Sequence, residues 1–314
     1  MEIDLVYLWV DGNDTEWQKK RRPFFENIDE NSEANCKGRY INNDELKYSL
    51  RSAEKYAPWI RKIFIVTDNQ TPEWLDTTNP KIEIIDHKDI MPEESLPCFN
   101  PTIIEYFLYK IPGLSEHFLF ANDDMFFNAD LQPDFFFSND SFPIVRLKRR
   151  PYGKWHYRIY RLGRLLTGKN QSQYQKMVTD AALLVEKKFG KYYSDRNHHN
   201  IDAYKKSDFR EAIENVFSVQ AEKCFSHHLR AVGDFHRSAI SYYALAIGHG
   251  HLKYVTYLES LRIPVHNSDF MEFLDRYQPK LFCLNDCQRS KDTDRERIKP
   301  FLEDLFPEKT AFEK

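Results

Sequence analysis

The stretch EHFLFANDDMFF, residues 116–127, decides the fold of this chain. Its apolar run FLFA, bounded by polar residues, is typical of a buried strand. Asn122, Asp123 and Asp124 follow directly, and acidic residues at the end of such a strand lie where open α/β sheets bind ligands. Two carboxylates beside an amide suit Mg²⁺ or Mn²⁺ that bridges phosphates. The alternative is a plain turn, because Asn and Asp favour turns.

Strands and helices alternate through the first half of the sequence. Strands are predicted at residues 3–10, 60–68, 81–87 and 118–121, and helices at residues 39–56 and 100–108. This alternation predicts an α/β fold, with a mainly parallel sheet and helices on both faces. In the first helix Leu46, Leu50 and Ala53 share one face, and Asn42 or Asn43 can cap its start.

The second half of the sequence is predicted to be more helical. Helices are predicted at residues 172–189, 204–224, 234–246 and 295–306, and a late strand at residues 252–258. Residues 27–38 are polar and are predicted to form a loop. From Arg146 to Lys169 the chain carries nine Lys and Arg residues and no Asp or Glu. Such a segment suits an anionic partner, namely an acidic polymer, lipid head groups or a diphosphate, or it is an ordinary solvated insertion.

Three further positions are candidates for a site. Asp11 and Gly12 end the first predicted strand, which is a nucleotide-site pattern in α/β folds but equally a common turn. The sequence FCLND at residues 282–286 repeats the pattern of apolar residues followed by Asn-Asp. His199 stands just before a predicted helix, where it is a candidate base, although a histidine is more often a surface or core residue.

The composition excludes several classes of protein. Of 314 residues, 41% are hydrophobic and 15% aromatic, which is typical of a globular protein rather than a disordered one. The net charge of −3 gives no nucleic-acid signature, and no apolar run approaches the roughly 18 residues of a membrane span. The N-terminus is a strand pattern rather than a leader. Five scattered cysteines favour a reducing cytoplasm over a disulfide scaffold, and Cys283 and Cys287 lack a second pair for structural zinc.

Taken together, these segments resemble the Stealth family, whose members include bacterial capsule polymerases and the α/β subunit of the lysosomal-enzyme N-acetylglucosamine-1-phosphotransferase. Its four blocks resemble residues 3–14, residues 39–127, His199 with residues 229–248, and CLND at residues 283–286. Ile201 stands where many members have Pro, and His198 beside His199 leaves two registers for that block. Without the long N-terminal extension of many capsule polymerases, the chain is expected to be a minimal catalytic unit.

The resemblance implies a nucleotide-sugar-transferase-like fold and a division of the chain into three parts. Residues 1–145 are expected to form the nucleotide-sugar-binding α/β core, residues 146–198 a basic, aromatic insertion with a helix, and residues 199–314 the largely helical part that completes the catalytic core. Stealth enzymes transfer a hexose or N-acetylhexosamine 1-phosphate from a nucleotide sugar to a glycan hydroxyl. The product is a phosphodiester of a surface or capsular polysaccharide, and a nucleoside monophosphate leaves.

The resemblance also implies roles for the matching residues. Asp123 and Asp124 would hold Mg²⁺ or Mn²⁺ against the diphosphate, and Arg230 would clamp phosphate oxygens. His199 would be the general base that takes the acceptor proton, with Asp124 as the rival base. The crevice would be lined for substrate binding by Asp11, Arg39, Asn122, Asn285 and Asp286.

Several matched residues also have a structural explanation. Arg39, Asp44 and Arg51 serve the nucleotide or lock the first helix. Asn100 and Glu105 match the second block, although capping explains Asn100 without any function.

The expected partners are a nucleotide sugar donor, preferably UDP-linked, and a glycan or lipid-linked oligosaccharide acceptor, but no nucleic acid. The expected location is the cytoplasm, with peripheral contact at the inner face of the cell membrane through residues 146–169. Two other functions stay open. One is a conventional metal-dependent glycosyltransferase, which releases a nucleoside diphosphate. The other is a non-catalytic glycan-binding or scaffold protein.

Overall fold

The structure, a computed structural model, describes residues 1–25, 36–169, 172–231, 233–267 and 269–314. Most of the predicted loop at residues 27–38 lies outside the described residues. The strands are β1 (Ile3–Leu8), β2 (Ile63–Thr67), β3 (Ile82–Asp86), β4 (His117–Asn122), β5 (Met125–Phe127), β6 (Ile144–Lys148), β7 (Arg196–Asn197), β8 (Asp202–Lys205), β9 (His251–Tyr254), β10 (Ser260–Pro264) and β11 (Leu281–Asn285). The α-helices are α1 (Thr15–Phe25), α2 (Glu45–Tyr56), α3 (His87–Ile90), α4 (Pro101–Tyr106), α5 (His156–Leu166), α6 (Gln173–Phe189), α7 (Lys206–Glu211), α8 (Ser218–Glu222), α9 (Ser238–Ile247), α10 (Phe270–Tyr277), α11 (Asp292–Arg295) and α12 (Ile298–Leu305).

The central sheet has the strand order β3-β2-β1-β4-β8. The first four strands are parallel, and β8 runs antiparallel to β4. In β1, Val6 packs into the core on one face of the sheet, while Leu5 and Tyr7 pack into the core on the other. Because both faces are buried, the inner strands β1, β2 and β4 are largely apolar, although β1 also buries Asp4. The predicted α/β fold, with a mainly parallel sheet covered on both sides, is confirmed.

Helix α2 covers one face of the sheet with the predicted apolar stripe. Leu46, Leu50 and Ala53 are buried there. The helix begins at Glu45 rather than Arg39, since Asp44 at the N-cap adopts a left-handed conformation with φ of 66°. The prediction that Asn42 or Asn43 caps the helix is therefore wrong.

The predicted helix at residues 204–224 is wrong at its start. Tyr204 lies in β8, pairs with Phe118 of β4, and stacks on that ring with centroids 5.7 Å apart. The free edge of β4 supplies main-chain partners that the helical pattern did not reveal. The rest is interrupted as well, because a π-helical turn at Ala212–Val216 separates α7 from α8. The other late predictions are correct in type but shifted, since α9 begins at Ser238 and β9 ends at Tyr254.

Strands from all parts of the sequence share the sheets. β11 pairs antiparallel with β5 and parallel with β10, and β6 pairs with β7 and β9. Arg146 therefore lies in a sheet, where it is 2% exposed and its guanidinium lies 3.7 Å from the Phe135 ring centroid. The sequence had grouped Arg146 with a basic segment that suits an anionic partner. Because Arg146 is buried, it is not part of such a surface. The three-part division of the chain stays a prediction. Among the described residues, every helix is too short or too polar to cross a membrane.

Candidate active site

The turn between β4 and β5 carries the residues that the sequence singled out. Asn122 ends β4, and Asp123 and Asp124 form the turn. The predicted turn and the candidate site are therefore the same segment of the chain. Asn122 is paired in register with Leu8, the last residue of β1, as expected for parallel neighbours. The Leu284 N–H donates to the Asp124 carbonyl at 2.9 Å, which fixes the turn against β11.

Three carboxyl groups meet at this turn. Glu45, at the start of α2, acts electrostatically on Asp123 and is itself affected by Asp124. Burial, reinforced by repulsion among these groups, raises the pKa of Glu45 to about 7 and that of Asp123 well above its ordinary value. Burial raises the pKa of Asp124 to about 6. The Oδ1 atom of Asp124 is buried without a hydrogen-bond partner. Glu45 was not predicted as a site residue, because it lies 78 positions before Asp123 and no local pattern points from it to this turn.

The same turn faces residues that come from late in the chain. Asp124, His199 and Cys283 each offer one ligand atom, and these atoms lie within 4.8 Å of one another. The Cys283 thiol donates to Asp124 Oδ2 at 3.3 Å. Asn285 Nδ2 lies 3.2 Å from His199 Nε2, and Asn285 Oδ1 accepts from Arg262 Nη1 at 2.8 Å. Arg262 thus orients the amide so that its N–H faces the imidazole. Cys283 and Arg262 were not predicted as site residues.

His199 is the histidine that faces the site. It has a φ of 60°, which is uncommon for a non-glycine residue and is typical of functional turns. Burial, followed by repulsion from Arg262, Arg237 and Arg39, lowers its pKa to about 3. The imidazole is therefore neutral at neutral pH, and Nε2 carries a lone pair toward Asn285. His198 is a core residue instead, because its Nδ1 lies 2.8 Å from Ser260 Oγ and its Nε2 lies 3.1 Å from Asp202.

Arginine side chains surround the histidine and carboxylates. Burial dominates the pKa of both Asp124 and His199, and the positive charge of Arg39 acts on both groups in addition, so Arg39 lies near them. Burial and, among the charged neighbours, repulsion from Arg39 lower the pKa of Arg230. Arg39 and Arg230 are therefore near enough to repel each other electrostatically. Positive charge concentrated in this way suits an anionic ligand, and the phosphate-binding roles of Arg39 and Arg230 stay predictions.

Arg237 has a different task and was missed from the sequence. It is 5% exposed and donates to Glu105 at 3.0 Å, to Asp202 at 3.3 Å and to the Tyr204 hydroxyl at 3.2 Å. Its guanidinium also lies 4.6 Å from the Phe120 ring centroid of β4. The hydrogen bonds of Arg237 go to buried acids. Its positive charge therefore acts on the site electrostatically rather than by direct contact.

Two predicted substrate residues are held by the protein itself. Asp286 accepts from Arg295 Nε at 2.7 Å and from Arg295 Nη2 at 3.2 Å. Gly38 packs so closely that a Cβ there would lie 2.4 Å from the Asp286 carboxyl carbon. Asp11 Oδ1 accepts from the Asn13 N–H at 2.9 Å. Direct contact of Asp11 or Asp286 with substrate stays a prediction.

The other matched residues have structural partners. Arg51 pairs with Glu313 through two nitrogens at 2.7 Å and donates to the Phe306 carbonyl at 2.7 Å. Asp44 accepts from Lys299 at 2.7 Å. Of the two alternatives for these residues, the observed bonds favour locking of α2. Asn100 caps α4 by accepting from the Thr102 N–H at 3.2 Å, as the capping explanation requires.

Two conserved-region models of the Stealth proteins match this chain, region 1 over residues 1–28 and region 2 over residues 39–145. The chain belongs to the Stealth family. Region 2 spans α2 and the Asn122–Asp124 turn, and region 1 contains β1 and Asp11. The expected membership of the Stealth family is confirmed, and the third and fourth blocks stay predictions.

Curated relatives of this Stealth chain include three bacterial proteins. The capsular polysaccharide phosphotransferase SacB of Neisseria meningitidis serogroup A is 31% identical over an aligned length of 330 residues. The alignment covers 100% of this chain and 57% of SacB. An exopolysaccharide phosphotransferase of Streptomyces coelicolor is 32% identical, over 99% of this chain and 51% of that protein. The exopolysaccharide phosphotransferase cps2G of Lactiplantibacillus plantarum is 36% identical, over 69% of this chain and 58% of that protein. The chain thus spans about half the length of the curated relatives it matches.

Solved structures similar to this Stealth chain include a glycosyltransferase. The galactosyltransferase LgtC in complex with donor and acceptor sugar analogues superposes with a TM-score of 0.45 at 13% sequence identity, over 98% of this chain and 96% of that one.

Proposed function

We propose that this protein transfers a hexose or N-acetylhexosamine 1-phosphate from a nucleotide sugar to a hydroxyl of a glycan acceptor. The single observation that carries the proposal is the meeting of Asp124, His199 and Asn285 beside Arg39. A base, an acid cluster and guanidinium groups in one crevice are what phosphoryl transfer requires, since that reaction depends on alignment and charge neutralisation more than on a covalent nucleophile. The curated relatives, which are named as phosphotransferases, support the same reaction class.

In the proposed reaction one P–O bond forms, one P–O bond breaks, and a residue of the site accepts the proton. The acceptor oxygen attacks the phosphorus next to the sugar, and a new P–O bond forms. The bond from that phosphorus to the bridging oxygen breaks, so that the nucleoside monophosphate leaves while the anomeric C–O bond stays intact. Asn285 first gives up its contact with the lone pair on His199 Nε2, and the acceptor proton then passes to that nitrogen. Asp124, whose Oδ2 accepts from the Cys283 thiol at 3.3 Å, is the alternative proton acceptor.

The low pKa of His199 is consistent with a base that is switched on by its substrate. In the free protein the pKa is about 3, mainly because of burial, with repulsion from Arg262, Arg237, Arg39 and Arg196 adding to it. A diphosphate bound at Arg39 would add negative charge there and offset the repulsion between Arg39 and a protonated imidazole. We therefore propose that donor binding raises the pKa of His199 toward the range that general-base catalysis needs.

The acidic cluster fits a divalent cation. Glu45, Asp123 and Asp124 provide oxygen donors, and the buried Asp124 Oδ1 has no partner within the described protein. Mg²⁺ and Mn²⁺ prefer such oxygen ligands, and a cation would relieve the repulsion that raises the pKa of these carboxyls. When bound, the cation would neutralise charge on the diphosphate. Asp123 and Asp124 are the proposed ligands, and Glu45 is added to them as a neighbouring acid.

The partners follow from the same chemistry. The proposed donor is a nucleotide sugar, preferably UDP-linked, and the proposed acceptor is a glycan or a lipid-linked oligosaccharide. We place the protein in the cytoplasm, at the inner face of the cell membrane, with peripheral contact through the insertion that follows β6.

Product analysis tests this proposal. The purified protein is incubated with a panel of nucleotide sugars, Mg²⁺ and a short glycan acceptor, and the released nucleotide is identified together with the phosphorus content of the glycan. A nucleoside monophosphate, with phosphorus retained in the glycan, is the expected result. A nucleoside diphosphate would identify a conventional glycosyltransferase and overturn the mechanism. Asp124→Ala is the matched control and should be inactive with an intact fold, whereas near-normal turnover would remove Asp124 from the mechanism.

A further inference from the structure

We propose that α5, together with the preceding Trp155, is an interfacial helix that docks the protein on an anionic lipid bilayer. We call the outward side of this helix the α5 surface. It comprises an apolar stripe of Trp155, Ile159, Leu162 and Leu166 and a basic flank of Arg158 and Arg161. This deepens the membrane contact named in the proposed function and identifies the residues that insert and the charge of the lipid.

The apolar stripe has helical spacing but faces away from the protein. Trp155, Ile159, Leu162 and Leu166 are separated by four, three and four positions, which places them on one side of a helix. They are 58%, 46%, 58% and 79% exposed. Large apolar side chains at this spacing normally mark the buried face of a helix. In α12, for comparison, the equivalent apolar residues Ile298 and Leu302 are fully buried.

The opposite side of α5 is attached to the protein, so the orientation of the stripe is fixed. The Tyr160 hydroxyl accepts from the Ser172 N–H at 3.2 Å, just before α6. His156 Nδ1 lies 3.0 Å from the Pro151 carbonyl, and Tyr157 stacks on Tyr160 with ring centroids 6.3 Å apart. Within the described residues α5 has no buried side chain at all. The helix is therefore held by its polar aromatic side and presents its aliphatic side outward.

Positive charge borders the stripe. Arg158 and Arg161 are exposed and lie on the flank of the stripe. Arg164, three residues further on, lies on the far side of the helix, where its guanidinium is 5.8 Å from the Tyr160 ring centroid. The chain from Arg146 to Lys169 carries no Asp or Glu, although the whole protein has a net charge of −3. A helix with aliphatic residues on one side and cationic residues beside them is the pattern that lies in the head-group region of anionic membranes.

Charge complementarity favours lipid over a second copy of the chain. A symmetric contact between two α5 surfaces would bring Arg158 and Arg161 of one copy toward the same arginines of the other. An anionic bilayer, in contrast, satisfies the apolar stripe and the arginines together. The proposal rests on the proposed function in one respect, namely that the acceptor would lie at a membrane. Docking on the bilayer itself requires no catalysis.

Vesicle co-sedimentation of the full chain tests the inference. Wild-type protein is mixed with vesicles of phosphatidylglycerol and phosphatidylcholine, or of phosphatidylcholine alone, at low and high NaCl. We expect binding to the anionic vesicles that is at least about tenfold tighter and that weakens with salt, because surface charges are screened. Equal binding to both kinds of vesicle, or binding to neither, would overturn the proposal.

Two sets of variants separate the stripe from the charge. Ile159→Gln, Leu162→Gln and Leu166→Gln combined should weaken binding about tenfold or more without changing net charge. Arg158→Gln, Arg161→Gln and Arg164→Gln combined should weaken it about 100-fold on anionic vesicles. Matched controls replace equally exposed residues elsewhere and should bind as wild type: Leu183→Gln with Val219→Gln and Leu258→Gln for the stripe, and Lys187→Gln with Lys188→Gln and Lys223→Gln for the charge.

Folding, oligomerisation and catalysis are read out separately. Circular dichroism and light scattering are recorded for every variant. If the glutamine stripe variant turned an oligomer into a monomer while vesicle binding stayed at the wild-type level, the α5 surface would bind a second copy and the proposal would be wrong. Turnover of a soluble acceptor by both triple variants should equal that of wild type, because α5 carries none of the proposed site residues. Failure of product analysis with intact vesicle binding would refute the proposed chemistry and leave the docking surface standing.

Discussion

Replacing Asp124 by Asn should stabilise the cation-free protein while abolishing its activity. Asn has nearly the same shape as Asp and keeps an oxygen that can accept the Cys283 thiol, which donates to Asp124 at 3.3 Å. What the substitution removes is a negative charge held near Asp123 and Glu45 in a largely buried turn. The carboxylate is retained for function at a cost to folding, as is common at active sites.

The magnitude follows from the pKa of Asp124. Burial raises this pKa from 3.8 to about 6, so the folded protein binds more protons than the unfolded chain between these values. The stability that this carboxyl provides is complete below pH 3.8 and is lost as the pH rises through 6. At pH 8 the ionised group destabilises the folded state by about 3 kcal/mol, and at pH 4.5 by about 1 kcal/mol. Asp124→Asn removes this penalty, so its benefit should grow with pH.

Urea unfolding in EDTA at pH 4.5 and pH 8 measures the effect. We expect the free energy of unfolding of the variant to exceed that of wild type by about 3 kcal/mol at pH 8, and by about 2 kcal/mol less at pH 4.5. Asp140→Asn is the matched control, because hydrogen bonds from Ser138 and His251 lower the pKa of Asp140 to about 2, and its replacement should not stabilise the protein. Mg²⁺ should then stabilise wild type more than Asp124→Asn.

Two outcomes would refute this reasoning. If Asp124→Asn were no more stable than wild type at pH 8 in EDTA, the turn would not hold a destabilising charge. If the difference in stability were the same at both pH values, it would arise from packing rather than from ionisation.

Three further predictions concern the base, the buried arginine and a close contact. His199→Ala should lower the single-turnover rate about 10²–10⁴-fold while donor affinity changes little, and a purely donor-affinity effect would exclude His199 as the base. Arg237→Met should lower the free energy of unfolding by about 3–5 kcal/mol, because it leaves the buried Glu105 without its arginine and removes one partner of the buried Asp202, and a loss below about 1 kcal/mol would contradict the observed network. Gly38→Ala should cost about 1–3 kcal/mol and reduce activity, since its Cβ would meet the Asp286 carboxyl at 2.4 Å, whereas Gly163→Ala, with open space around it, should not destabilise.

Parts of the site could be predicted because their signals are local. The apolar run before Asn122 predicts a buried strand, and the acidic residues after it fall at the end of the strand where β1 also ends. His199 and Asn285 were expected in the crevice, and they lie 3.2 Å apart. The resemblance to the family carried these two, since neither stands out by spacing alone.

Other parts could not be predicted, because they depend on distant segments meeting. Glu45 and Cys283 reach the acidic turn from positions 79 residues before and 159 residues after Asp124. Both fall within blocks that match the family, but no local pattern indicates that their side chains meet at this turn. Asp286 was expected to bind substrate, yet Arg295 engages both of its oxygens. The choice among possible partners of a charged side chain is made by packing, which no local pattern encodes.

The sequence by itself determined the alternation of buried strands and amphipathic helices, and with it the parallel sheet and the edge at which the site lies. Side-chain periodicity reports which face is buried, so those features follow from short windows of residues. Only the tertiary structure decided that Tyr204 lies in a strand rather than a helix, that Arg146 is buried, and that the apolar stripe of α5 is exposed. Each of these depends on whether another part of the chain arrives to cover or pair with the segment, and that is a property of the whole fold.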